Sequence, residues 1–192
     1  MDSESPSENQ LGGLRRDPRM LLFIEAARQY CGLVETSPVN MKAWVRDLLT
    51  ALSELYAAAL GLRSIEVDRT PDCDLSQFEV SHLEWRALYH RLCAYLGHDA
   101  WYWMYFEPMK TQVEKAEPVG GNLADDLADV YRDIAAGLRA WNANDDPEYD
   151  EAVFQWVLGG LDIHWGAHAV DALGILHRVV TNRIQADSES GI

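Results

Sequence analysis

Apolar residues recur along this chain at steps of three and four, the period of helices that bury one face. Leu22, Phe23, Ala26, Ala27, Tyr30, Cys31 and Val34 form the first such stripe. Asp17-Pro18 supplies its start, an N-cap followed by a proline at the first helical position, and Thr36-Ser37-Pro38 ends it. The second stripe is Trp44, Leu48, Leu49, Leu52, Leu55, Tyr56, Ala59 and Leu60, with Asn40 as the expected cap and Gly61-Leu62 as its end. Pro71 and several aspartates make residues 63–76 a loop. A third helix is expected from Ser76 to Gly97, burying Phe78, Leu83, Leu88, Leu92, Tyr95 and Leu96 and stopping at Gly97. Asn122 is the expected cap of the fourth, whose core stripe is Leu123, Leu127, Val130, Ile134, Leu138 and Trp141. The stretch Ala152 to Ile184 is apolar on nearly every side and is expected to be the helical centre of the core, with Gly159-Gly160 as a place to bend.

Two parts depart from this rhythm. Trp101, Tyr102, Trp103, Tyr105 and Phe106 precede Glu107-Pro108, and Pro118 and Gly120-Gly121 follow. This insert is expected to be a short helix or aromatic-rich turn that plugs one end of the core or lies across it as a lid. Residues 1–16, rich in Ser, Glu, Asn and Gly, are expected to be a disordered tail, and 185–192 a polar one. No stretch alternates with the period of a strand, and no internal repeat is visible. The expected fold is all-α: one bundle of about five main helices over residues 17–184.

Composition narrows the function classes. A chain of 192 residues is long enough for one substantial core. Its net charge of −15 argues against a nucleic-acid partner and suits an encounter with a basic protein; Arg15-Arg16 are too few to reverse that. The start lacks the basic and apolar regions of a signal peptide, and no apolar run reaches membrane-spanning length. Cys31, Cys73 and Cys93 are odd in number and form no CxxC pair, which fits reduced thiols. A cytoplasmic protein with no membrane contact is expected.

The candidate chemistry lies on two stripes. Val157, Leu161, His164, His168, Ile175 and Val179 follow one another at helical spacing, with Asp171 next along the line. His164 and His168 are one turn apart and point the same way on a helix. Asp126, Asp129 and Asp133 form a second stripe, about 100° around their helix from its apolar face. Polar groups at a core boundary need partners. One reading is a cross-tie, in which a histidine donates to Asp129 or Asp133, or Tyr131 and Arg132 pair with Asp171. The other is a metal site of His164, His168, Asp129 and Asp133, of a composition suited to manganese, iron or zinc. No cofactor is demanded by a signature; a divalent metal is the one this cluster admits. HExxH, paired ExxH, GxSxG, GxGxxG and P-loop motifs are all absent. The favoured expectation is an acidic binding or regulatory protein, with the acidic run from Asp145 to Glu151 expected to be exposed. The alternative is a metal-dependent hydrolase of a phosphate ester or nucleotide. Whether the chain is an enzyme stays open.

Several of these segments carry a family pattern. They are Tyr30-Cys31 with Glu35, Leu55-Tyr56, Tyr102-Trp103 with Phe106-Glu107-Pro108, the run from Asp125 to Asp133, and the His-Trp-Gly-x-His segment from His164 to His168. Over residues 20–178 the chain resembles an uncharacterised bacterial family known only as a domain of unknown function. The resemblance implies an all-α fold and supplies no activity.

Overall fold

The computed structural model describes residues 13–67, 71–105, 117–143 and 146–190. In chain order they form α1 (Gly13–Arg16), α2 (Pro18–Glu35), α3 (Met41–Leu62), α4 (His82–Leu96), β1 (Trp101–Met104), β2 (Val119–Asn122), α5 (Leu123–Ala143), α6 (Pro147–Ile163) and α7 (Trp165–Ser190), with 3-10 turns at Ser76–Phe78 and Gly97–Ala100. Among the described residues the architecture is all-α apart from one small antiparallel ribbon. No described helix is long and apolar enough to cross a membrane.

Local chemistry sets most boundaries. Asp17 accepts a hydrogen bond from the Arg19 N–H at 2.8 Å ahead of Pro18, and Asn40 accepts from Ala43 at 3.1 Å. Asp146 caps Pro147 in the same way, accepting from Glu148. The helix expected from Ser76 is interrupted. Ser81 and Glu84 form a capping box, each side chain bonded to the other's backbone N–H, so α4 starts afresh at His82. Leu83, expected to be buried, is therefore rotated outward and 75% exposed. Gly97 ends α4 with φ +59, a conformation that costs glycine little.

Helix α5 is the hub. It packs against α2, α4, α6 and α7. Ala124, Ala128, Ala135, Ala136 and Ala140 are all buried on it, and such small side chains let neighbours approach on several sides. At Gly137, Val153 and Val157 of α6 sit 3.6 Å from where a β-carbon would stand. The sequence pattern points instead to Ala152–Ile184 as the centre. That stretch is two helices, each with an exposed side: Ile163 is 85% and Val170 50% exposed. Its apolar positions are divided among α5, α3 and one another rather than forming one central rod.

Aromatic donors tie α2 and α6 to α5. Tyr30 donates to the Leu127 carbonyl at 2.7 Å, and Trp156 to the Asp133 carbonyl at 2.9 Å. Each of these polar atoms keeps a partner on leaving water, as burial requires.

Three expectations about exposed segments change. The insert contains a strand pair, Trp101 opposite Asn122 and Tyr102 opposite Gly121. Phe106-Glu107-Pro108 lies outside the described residues. The turn α1, within the expected tail, has a buried Leu14, and Arg15 reaches across to α6. There it meets Asp150, which is buried although it belongs to the acidic run expected to be exposed. Arg15 Nε lies 2.9 Å from both carboxylate oxygens. Its Nη2 donates to the Trp141 carbonyl at 2.8 Å, and the guanidinium lies 4.5 Å over the Trp141 ring.

Candidate metal centre

The acids come from the first half of α5. Asn122 opens that helix by accepting from the N–H groups of Ala124 and Asp125 at 2.9 and 3.2 Å. Asp126, Asp129 and Asp133 then project from one side towards the junction of α6 and α7. Asp126 and Asp129 are buried, and the Asp133 side chain is 15% exposed.

The histidines come from the junction itself. They were expected one turn apart on a single helix. The chain instead turns at His164, where φ is −144 and ψ −88. The His164 N–H donates to the Gly160 carbonyl at 2.8 Å and completes α6, and α7 begins at Trp165. The corner is packed too closely for side chains at two points. The fully buried Trp165 ring lies against Gly160, with its indole N–H donating to the Val157 carbonyl at 2.9 Å. Gly166 backs onto the Leu161 carbonyl group. His168 sits in the first turn of α7, so the two imidazoles still meet, with centroids 5.0 Å apart.

Each ring is held by one nitrogen. His164 Nδ1 is 2.8 Å from Asp133 Oδ2, and His168 Nδ1 is 2.8 Å from Asp126 Oδ1. A carboxylate acceptor assigns the hydrogen to each Nδ1. Neither Nε2 is taken by these two carboxylates, and His164 Nε2 lies 3.3 Å from Arg132 Nη2. His168 Nε2 is 3.5 Å from Asp129 Oδ2. One donor atom from each of Asp129, His164 and His168 fits within 4.8 Å of the other two. Ligands about 2.1 Å from one tetrahedral ion are roughly 3.4 Å apart, so closure needs shifts of about 1 Å.

Arg132 holds the middle of the cluster. Its Nη2 lies 3.1 Å from Asp129 Oδ1 and 3.3 Å from His164 Nε2, and its Nε is 4.0 Å from Asp133 Oδ1. Asp129 Oδ1 is buried and accepts no hydrogen bond, so the Arg132 contact is an attraction of charges without an aimed N–H. From the other side, the Tyr102 hydroxyl donates to Asp126 Oδ2 at 2.7 Å. Its ring covers Gly121, leaving no room there for a β-carbon.

The local field is negative. The hydrogen bond to Asp126 raises the His168 pKa against the opposing effect of burial, and the charges of Asp129, Asp126 and Asp125 add to it. Burial raises Asp125, helped by Asp129 and Asp126. Burial likewise raises Asp171, helped by Asp126. A cleft of about 550 Å³ opens beside the cluster, lined by Arg132, Asp133, Trp156, Gly159, Ile163 and His164 among others.

The model of the family described as Domain of unknown function (DUF5063) matches residues 17–182. The chain belongs to the DUF5063 family. No curated protein matches it. The crystal structure of protein BF1032 from Bacteroides fragilis, a structural genomics target, is similar to this DUF5063 chain. That likeness has a TM-score of 0.66 and 21% identity, and it covers 87% of this chain and 95% of the other. It establishes a shared fold.

Five of the six sequence-selected positions of this DUF5063 domain converge: Asp126, Asp129, Asp133, His164 and His168. Asp171, one turn along α7 from His168, is partly exposed and acts through its charge on Asp126 and His168. The proposed partnership of Asp171 with Tyr131 or Arg132 is not formed. Tyr131 donates to Glu35 at 2.7 Å instead, and Arg132 turns into the cluster. Sequence reasoning missed Tyr102. Its signal was the aromatic triplet Trp101-Tyr102-Trp103, in which the two tryptophans face outward and the tyrosine inward.

Proposed function

We propose that this protein binds one divalent metal ion, manganese, iron or zinc, through Asp129, His164 and His168. Asp133 and Asp126 orient the two imidazoles from behind. The observation that carries this reading is the direction of the rings. Each Nδ1 is spent on a carboxylate; His168 Nε2 lies 3.5 Å from Asp129 Oδ2, and the buried Oδ1 of the same carboxylate accepts no hydrogen bond. A carboxylate behind a histidine is the usual support of a metal ligand, fixing tautomer and orientation. Charge supports it too. Asp126, Asp129 and Asp133 together bring three negative charges against one guanidinium.

Three protein ligands beside a cleft leave a coordination position for water or a small molecule, the pattern of a working site rather than a closed structural one. This gives the hydrolase alternative a place for its chemistry. The second reading is the cross-tie, with an acidic surface for a basic protein partner. Arg132 favours it, because the guanidinium already supplies a positive charge among the acids. In either case three free thiols and an acidic chain suit a reducing cytoplasm and no nucleic-acid partner.

The test is titration of chelator-treated protein with Zn²⁺, Mn²⁺ or Fe²⁺, followed by calorimetry and thermal melting. One equivalent is expected to bind wild type, and His164→Ala and His168→Ala are each expected to lose it. A metal at a hundred times its Kd should add about 2.7 kcal/mol of stability, or roughly 5–10 °C in a domain of this size. If none of the three binds stoichiometrically and none shifts the melt, the cross-tie stands and the metal reading falls.

A further inference from the structure

We infer that the cleft beside the cluster takes an oxyanion carried on an apolar or aromatic body, held between the metal ion and Arg132. This rests on the metal reading above. The starting observation is that Arg132 occupies two of the contacts that an ion would need. Its Nη2 is 3.1 Å from Asp129 Oδ1 and 3.3 Å from His164 Nε2. An ion ligated by those two residues takes both partners from the guanidinium and repels it as a like charge. Arg132 is already 37% exposed and lines the cleft, so the displaced head group has somewhere to go. Its weak tie to Asp133, at 4.0 Å, keeps it on the cleft wall.

Charge then decides what enters. Without metal, the three acids outnumber the Arg132 guanidinium, and an anion is repelled. A dication offsets that excess, with Asp125 and Asp171 left at the edge of the cluster. The two positive groups now share the cleft floor. A planar guanidinium and an open metal position suit an oxyanion with two or more oxygens, because each can take one. The remaining surface suits an apolar body. The Trp156 N–H is committed to the Asp133 carbonyl, so this residue presents ring surface. Ile163 lies 85% exposed at the rim, and Gly159 has open space in front of it. Oxyanion and metal must each tighten the binding of the other by the same factor.

The experiment uses full-length protein loaded with one equivalent of Zn²⁺, or stripped by chelator, titrated with phenylphosphonate, benzoate and neutral benzamide. At least one oxyanion is expected to bind the zinc form about tenfold more tightly than benzamide does, and about tenfold more tightly than it binds the stripped form. The stronger of the two distinguishes a phosphoryl from a carboxylate ligand. Arg132→Met should keep one zinc and lose about tenfold in oxyanion affinity. Ile163→Ser, at an exposed position, should weaken phenylphosphonate several-fold and leave inorganic phosphate unchanged. Zinc binding with no oxyanion preference, or an Arg132→Met variant that binds oxyanions as wild type does, overturns this inference alone. Absence of zinc binding overturns the metal reading and this inference with it.

Discussion

Replacing Gly166 by alanine tests whether the α6–α7 corner positions the cluster. A β-carbon there would lie 2.9 Å from the Leu161 carbonyl carbon and 3.1 Å from Leu161 Cδ1, and closer still to the carbonyl oxygen. Carbon atoms rest at about 3.5–4.0 Å, and the carbonyl oxygen is the tighter contact, so the corner must open by roughly 1 Å or more. Most of the obstruction is backbone, which cannot rotate aside as a side chain would. Overpacking of this kind costs about 1–3 kcal/mol. For a chain of this length that is roughly 2–12 °C in melting temperature. The same displacement separates His164 from His168. Positioning residues matter at about 0.5 Å, so zinc affinity should fall along with stability. Gly174→Ala is the control. It lies on the exposed side of α7 with no atom within 4 Å of the new carbon, and should stabilise by about 0.4–1 kcal/mol. Melting curves and zinc titrations of both variants decide the matter. A Gly166→Ala protein that melts and binds zinc like wild type would refute the claim that the corner sets the site.

Two further outcomes follow from the same contacts. Arg15→Ala removes the bidentate partner of the buried Asp150 and should cost roughly 3 kcal/mol, the low end for a buried pair because Arg15 is itself 28% exposed; urea unfolding measures this, and a loss below about 1 kcal/mol would mean that α1 contributes little. The His168 pKa is raised in the folded protein, so its contribution to metal-free stability is complete below the unfolded value of about 6.5 and is lost as pH rises through the higher folded value. The melting temperature of chelated wild type should therefore fall across that window more steeply than that of His168→Gln, and parallel curves would count against the Asp126–His168 pair.

Much of the bundle was legible because helices announce themselves by period and caps. Asp17, Asn40, Asn122 and Gly97 mark ends from sequence alone, and each does so in the structure. The acidic stripe was legible for the same reason, since Asp126, Asp129 and Asp133 fall on one side of any helix that contains them. What period cannot reveal is a decision made by distant atoms. The Gly159-Gly160 pair drew attention to a bend, but the chain turns at His164, where the Trp165 ring can fold back on Gly160 and reach the Val157 carbonyl. The acidic run around Asp150 reads as solvated until Arg15, 135 positions earlier, arrives beside it. The ribbon was missed because its strands are four residues long and one of them is Val-Gly-Gly-Asn, which carries no alternation. Arg132 was legible as a cation near the acids, but its orientation depends on imidazoles from another helix.

The turn at His164 also constrains how the chain can vary in length. One residue added between His164 and His168 would rotate everything after it by about 100° and carry it about 1.5 Å along the helix axis. His168 would then point away from Asp126, and an insertion ahead of Trp165 would also take that ring off its seat on Gly160. Insertions and deletions are thus ruinous in the eight residues from Gly159 to Gly166. A set of chains sharing this fold should keep the corner at constant length while their loops grow and shrink freely.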